Sequence, residues 1–182
     1  MRIRIIVAGV AALAVGAAGV ASAQTPAPAK TTIKVSQKIV VKPNRWVQDG
    51  LRWDKDVYTV ASGGTLRIVN TAAGEGPHTF TVVKPKDLPK TAAQTLNCSI
   101  CNKLAKAHGA NPQSDAPPKF PFLENGVGQK QAPLVDVPGD SGVTGKGRQG
   151  ESISLKVTAP AGTTLTFMCI IHPWMQAKVK VG

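Results

Sequence analysis

Cysteine and histidine are scarce in this chain, three of each in 182 residues. Haem attachment fails on a single residue, because Cys98 and Cys101 are followed by Asn102 where a Cys-x-x-Cys-His motif requires its His. No Cys follows the N-terminal apolar run, so anchoring through a lipidated cysteine is not expected. Acidic residues are also few, ten against 22 Lys and Arg, for a formal net charge of +12. Such a balance suits an acidic partner or an anionic membrane face. The basic residues are scattered along the chain, so no single patch can be drawn. Beyond the first 23 residues no apolar stretch has membrane length.

That first stretch sets the expected compartment. Arg2 and Arg4 precede an apolar run from Ile5 to Val20, and Ala21-Ser22-Ala23 offers a small-residue cleavage site before Gln24. Residues 1–23 therefore read as a secretory signal peptide. Cleavage removes two Arg and no acid, leaving a periplasmic or otherwise extracytoplasmic protein, soluble and without stable membrane insertion. Export also argues against a nucleic-acid partner. Residues 24–30, with two Pro, read as a flexible leader, and residues 31–182 as one domain long enough to bury a core.

What the chain does have is concentrated near its end. Phe167-Met168-Cys169-Ile170-Ile171-His172-Pro173-Trp174-Met175 places a thiolate, an imidazole and a thioether on one short loop, with the spacing Cys-x-x-His-x-x-Met. A second imidazole is available upstream in Gly76-Pro77-His78-Thr79-Phe80. Two His, one Cys and a weak Met form a donor set that suits copper in both oxidation states. His78 belongs on a separate rigid strand, because His78, Phe80 and Val82 alternate along one face of an extended run. Only His108 is then left over, which counts against an oxidase or a nitrite reductase built on this chain alone.

Period-two patterns flank the loop. Ile153, Leu155 and Val157 alternate with Ser and Lys, Leu165, Phe167 and Cys169 with Thr166 and Met168, and Ala177, Val179 and Val181 with Lys178 and Lys180. Bounded by Gly and Pro, these read as half-buried strands of an antiparallel sandwich. Earlier strands are expected near Thr32–Val41 and Asp56–Val60. From about residue 84 to 150 the pattern is lost. Leu96, Ile100 and Leu104 have helical spacing within Thr91–His108, with Gly109 as the stop. Asn111 to Gly150 is rich in Pro, Gly and charge and reads as a long loop. It suits either a partner surface or a solvated edge. Cys98 and Cys101 admit three readings: a disulfide, as an oxidising compartment favours; a second metal site shared with His108; or free or redox-active thiols.

The segment from Glu151 to Gly182 resembles the last strands and ligand loop of cupredoxins, type 1 blue-copper proteins. The loop Cys169-Ile170-Ile171-His172-Pro173-Trp174-Met175 is most similar to that of amicyanin, which is shorter than the loops of plastocyanin and pseudoazurin, and the segment from Asp56 to Val83 also resembles the family. The resemblance implies an all-β fold, a Greek-key antiparallel β-sandwich, here with a partly helical, loop-rich insertion at about 84–150. It implies one copper ion held by His78, Cys169 and His172, with Met175 as axial ligand. It implies a monomeric electron carrier rather than an enzyme, serving redox protein partners through an apolar rim of Ile170, Ile171, Pro173 and Trp174. The other reading is copper storage or delivery. Many relatives carry Asn directly after the first His ligand; here Thr79 stands there, and its hydroxyl and backbone N–H are expected to take over that tie.

Overall fold

The computed structural model describes residues 25–72, 76–111 and 117–182. The expected signal peptide and Gln24 lie outside the described residues.

Among the described residues fourteen strands and two α-helices follow one another. They are β1 (Lys30–Ser36), β2 (Ile39–Lys42), β3 (Trp46–Asp49), β4 (Arg52–Trp53), β5 (Val57–Val60), β6 (Thr65–Val69) and β7 (Thr79–Val82). Next come α1 (Ala92–Leu96), α2 (Ser99–Ala107), β8 (Phe122–Glu124), β9 (Val127–Gln129), β10 (Leu134–Val135) and β11 (Ser141–Val143). The chain closes with β12 (Ser152–Val157), β13 (Thr164–Met168) and β14 (Gln176–Val181). Two sheets form, in the orders β10-β12-β6-β1-β4 and β5-β14-β13-β7-β11-β8-β9, with β2 and β3 as a separate hairpin. The all-β sandwich expected from the sequence is present. It is not wholly antiparallel, because β1 with β6, β10 with β12 and β14 with β5 pair in parallel. A chain that crosses from one sheet to the other brings strands back in the same direction.

Alternation explains the core. On β12, β13 and β14 the residues Leu155, Val157, Leu165, Phe167, Ala177, Val179 and Val181 point inward and pack with Ile33, Leu66, Ile68, Phe80 and Val82 from the facing and neighbouring strands. Phe80 and Phe167 stack with ring centroids 4.5 Å apart near its middle. The expected strand over Thr32–Val41 divides into β1 and β2. The leader is shorter than expected: Pro28 and Ala29 already accept hydrogen bonds from the N–H groups of Ala61 and Thr65, and β1 starts at Lys30.

The insertion is more structured than its composition implied. Four short strands lie within it, and β11 and β8 extend the second sheet beyond β7. Its helix breaks at Asn97 into α1 and α2, so Leu96 is not on a buried stripe but 84% exposed. Leu104 is buried, and Gly109, at φ +69°, ends α2 as expected. The insertion covers the outer face of the second sheet, where Val83, Cys98, Cys101, Leu104, Leu123, Met168 and Ile170 form a second apolar cluster. Asp140 pins it: the buried carboxylate accepts the N–H groups of Asn125, Asp136 and Val137. Because both faces are covered, every residue of β7 is buried.

Candidate metal centre

His78 lies at the head of β7, and its main chain is clamped before its side chain is placed. Its N–H donates to Thr144 Oγ1 at 3.0 Å, and its carbonyl accepts the Thr144 N–H at 2.8 Å. The approach to it is crowded. A Cβ on Gly147 would sit 2.3 Å from the carbonyl carbon of Gly76, and Gly147 has φ +92°, so only glycine fits there. The His78 ring packs edge-on to Trp53, with centroids 6.4 Å apart, and lies 4.9 Å from the His172 ring. Its Nε2 is buried without a hydrogen-bond partner among the described residues, so packing rather than a tautomer-fixing bond orients the ring.

The ligand loop begins where β13 ends and closes where β14 begins. Cys169 N–H donates to the Met175 carbonyl at 3.0 Å, and Met175 N–H to the His172 carbonyl at 2.9 Å. Gln176 Nε2 donates to the carbonyls of Pro173 and Pro89, tying the loop to the insertion. These bonds fold seven residues so that Cys169 and Met175 both enter the main core, fully buried, while His172 stays at the surface.

Three donor atoms converge. Nδ1 of His78 is 4.0 Å and Nδ1 of His172 is 3.7 Å from Cys169 Sγ, and the three candidate ligand atoms lie within 4.8 Å of one another. Nitrogen and sulfur bonds of about 2.0–2.3 Å to one ion place such donors roughly 3.5–4 Å apart, so the geometry suits a single metal. Burial, with His172 beside it, lowers the pKa of His78 to about 4, which keeps the imidazole lone pair free to ligate. Burial raises the pKa of Cys169, while the N–H groups of Thr79, His172 and Ile171 and the Thr79 hydroxyl act in the opposite sense. A sulfur ringed by donors yet shut away from water is prepared for a thiolate that a cation will neutralise. The donor set, two imidazoles and a thiolate with Met175 buried in the same cluster, suits one copper ion.

Thr79 joins the two segments. Its N–H donates to Cys169 Sγ at 3.3 Å, and its Oγ1 accepts the Ile170 N–H at 2.9 Å. The tie expected at this position is therefore made with a hydroxyl and a main-chain amide. Sequence reasoning did not find Thr144, Trp53 as a neighbour of His78, or Thr81, Ser141 and His108, whose side chains run in a hydrogen-bonded line from Thr79 into the insertion. The period-two spacing of Thr79 and Thr81 was the available signal, but alternating hydroxyls read as a solvent face.

Cys98 and Cys101 form a disulfide. His108 takes no part with them, since its ring nitrogens meet the Phe120 carbonyl and Ser141 Oγ. The second metal site expected as an alternative is thus not assembled. The apolar rim is also narrower than expected. Ile170 turns into the second core cluster and Pro173 is buried, leaving the half-buried edge of His172 between exposed Ile171 and Trp174. The Trp174 ring stands edge-on to His172, with centroids 5.4 Å apart, and its Nε1 donates to the Leu51 carbonyl at 2.9 Å.

No family model and no curated protein matches the sequence. Among solved structures the chain is similar to the dithionite-reduced auracyanin of Roseiflexus castenholzii, at 19% identity and a TM-score of 0.46, over 86% of this chain and 99% of that one. It is also similar to auracyanin A, a blue copper protein of Chloroflexus aurantiacus, at 22% identity and a TM-score of 0.41, over 84% and 99% of the two chains. A reduced Cu(I) amicyanin variant is similar at 12% identity and a TM-score of 0.40, over 88% and 87%.

Proposed function

We propose that this chain is an exported type 1 copper protein, a cupredoxin, that carries single electrons between redox protein partners. The observation that carries the reading is the convergence of His78 Nδ1, Cys169 Sγ and His172 Nδ1 within 4.8 Å of one another, with two of the three residues buried and His172 reaching the surface. Copper held there supplies a one-electron Cu(I)/Cu(II) couple. The residues do the rest. His78, Cys169 and His172 would hold the ion, with Met175 as a further, weaker donor. Bonds within the loop and from Thr144 and Thr79 fix the donors before metal arrives, so little has to move when charge changes. His172 is the way in and out, since its edge lies between exposed Ile171 and Trp174, where a partner excludes water on contact. Periplasmic location follows from the N-terminal signal. An acidic docking face on the partner follows from the net charge, +12 for the whole sequence and +10 once Arg2 and Arg4 leave with residues 1–23.

The test is to load the protein with Cu(II), record the visible spectrum and cycle the potential. An intense thiolate-to-copper band, reversible redox behaviour and loss of colour in Cys169→Ala support the reading. A colour that survives in Cys169→Ala overturns the ligand assignment. Copper that binds without reversible cycling and passes readily to a metal-free acceptor marks a storage or delivery protein instead.

A further inference from the structure

The hairpin of β2 and β3 leaves apolar side chains in water with nothing set over them among the described residues. Its two strands pair only with each other. The turn between them is well formed: Pro43 and Asn44 fill its centre, Asn44 at φ +56°, and the Arg45 N–H donates to the Lys42 carbonyl at 3.0 Å, as in a type II turn. The Gly50 N–H closes the base by donating to the Lys38 carbonyl at 3.0 Å. Val41 lies opposite Val47 and Ile39 opposite Asp49, which puts three aliphatic side chains on one face, while Trp46 lies opposite Lys42 on the other. Val41 is 59% exposed, Val47 67% and Trp46 46%, and residues 41–49 are exposed throughout. No residue of the hairpin belongs to either apolar cluster of the core. A two-stranded hairpin is marginal on its own in water, so this one is a surface without its cover.

We propose that the hairpin is a docking arm for an anionic phospholipid membrane: Val41, Val47 and Trp46 enter the headgroup layer, and Lys42 and Arg45 meet the lipid phosphates. The inference goes beyond the copper reading and does not depend on a metal.

Charge selects the occupant. From Lys38 to Asp49 the chain carries three cations, Lys38, Lys42 and Arg45, and one acid. That acid is Asp49, at the base, where its carboxylate accepts the Leu51 N–H at 2.9 Å. The free end therefore presents Lys42 and Arg45 alone, and a negative surface is its complement. Shape narrows the choice further. Aliphatic side chains take one face and Trp46 the other, so cover is needed on both. A folded protein sits against one face of a hairpin, whereas lipid surrounds both. Trp is suited to the headgroup level, with its ring toward hydrocarbon and its N–H toward water. Lys and Arg reach from that level to phosphate along their apolar stems.

The backbone sets the depth. The outer edges of β2 and β3 pair with no further strand among the described residues, and unpaired N–H and C=O groups are costly in hydrocarbon. The arm therefore stays in the wet headgroup layer, and its binding is shallow and reversible. Its base adjoins the rim of the metal centre, because the Leu51 carbonyl, two residues past Asp49, accepts Trp174 Nε1 at 2.9 Å. Each strand has four residues and reaches roughly 13 Å at about 3.3 Å per residue. A docked arm thus keeps the Trp174 end of the molecule close to the membrane.

The experiment is co-sedimentation of residues 24–182 with vesicles of phosphatidylcholine, alone or mixed with phosphatidylglycerol. Residues 1–23 are left off because an apolar leader binds lipid by itself, and every described strand lies in the remainder. Binding is expected to the mixed vesicles and not to phosphatidylcholine alone. Lys42→Gln with Arg45→Gln should weaken it roughly tenfold or more, since each cation near an anionic surface is worth about fivefold. Lys178→Gln with Lys180→Gln removes the same charge from exposed positions on β14 and should weaken it little. Val41→Ser with Val47→Ser keeps every charge and should also release the protein. Lipids brominated near the headgroup should quench wild-type fluorescence, and Trp46→Phe should lose most of that quenching. Equal losses in the two charge-removing pairs would mean diffuse attraction and overturn the arm. So would binding that survives loss of Val41 and Val47, or wild type that ignores the mixed vesicles. An acidic cytochrome held through the hairpin, with vesicles left unbound, would make it a protein-docking surface and overturn the lipid assignment. The vesicle result reads the same with and without copper, so failure of the copper reading leaves it standing.

Discussion

Thr79 serves both ligand-bearing segments with two atoms, its N–H on the Cys169 sulfur and its Oγ1 under the Ile170 N–H. Thr79→Ala keeps the first and loses the second, leaving a buried donor unpaired at a cost of about 1–3 kcal/mol. Chemical denaturation should show that loss, and Thr79→Ser should restore it. Met175 makes a different prediction. A weak axial thioether contributes little to holding the ion, so Met175→Gln should lower the reduction potential, because an oxygen donor favours Cu(II), while copper affinity changes little. An unchanged potential would place its side chain away from the metal. His108 adds a pH dependence of stability. Burial lowers its folded pKa, so the unfolded chain binds the extra proton first. Its contribution is complete above the unfolded value of about 6.5 and is lost as pH falls. Denaturation midpoints of wild type should therefore decline below that pH more steeply than those of His108→Gln.

At the scale of elements, what the sequence made legible was what one strand and one loop decide for themselves. The alternation on β12 and β14 survives because one face of each meets the core and the other meets solvent, whereas on β13 the outer face is buried too, with Met168 in the second apolar cluster. The loop from Cys169 to Met175 closes through its own backbone, so its spacing alone announces three donors. What stayed hidden depends on partners distant in sequence. Thr79 and Thr81 alternate with Phe80 and Val82 as if facing water, yet the insertion lies over them and buries both faces of β7. β8, β9 and β11 are three residues each, too short for a period to register. The break between α1 and α2 carries the Cys98–Cys101 disulfide, and the Cys98 sulfur accepts the Cys101 N–H at the start of α2. A loop this short restrains the unfolded chain only modestly, by about 2 kcal/mol. Replacing both cysteines by Ser should lower stability by no more than that and leave the copper band in place. The oxidised, metal-free protein should titrate as one free thiol, Cys169. Three free thiols would remove the bridge.

At the scale of the molecule, charge and the exposed rim act over different distances. Without Arg2 and Arg4 of residues 1–23, 20 basic and ten acidic residues would attract an acidic surface from afar, and that attraction weakens as the screening length shrinks from about 30 Å at 0.01 M to about 8 Å at 0.15 M ionic strength. Steering raises the rate of encounter more than the strength of the final contact. In the docking proposed above the contact would fall to Ile171 and Trp174, exposed on either side of the His172 edge. Trp174 is held there by its bond to the Leu51 carbonyl, so it meets a partner already in place. A charge at this position would keep water at the place where the two proteins must close. Trp174→Glu is therefore expected to slow oxidation of the Cu(I) protein by an acidic cytochrome by roughly tenfold, as for loss of an aromatic anchor of about 1–2 kcal/mol. The copper spectrum should stay that of wild type. Trp174→Phe keeps the apolar surface without the Leu51 bond and should retain most of the rate. Stopped-flow rates at several salt concentrations separate the two effects: wild type should slow as salt rises, and the Trp174→Glu penalty should persist at high salt. Rates indifferent to salt and to Trp174→Glu alike would mean that partners dock elsewhere on the molecule.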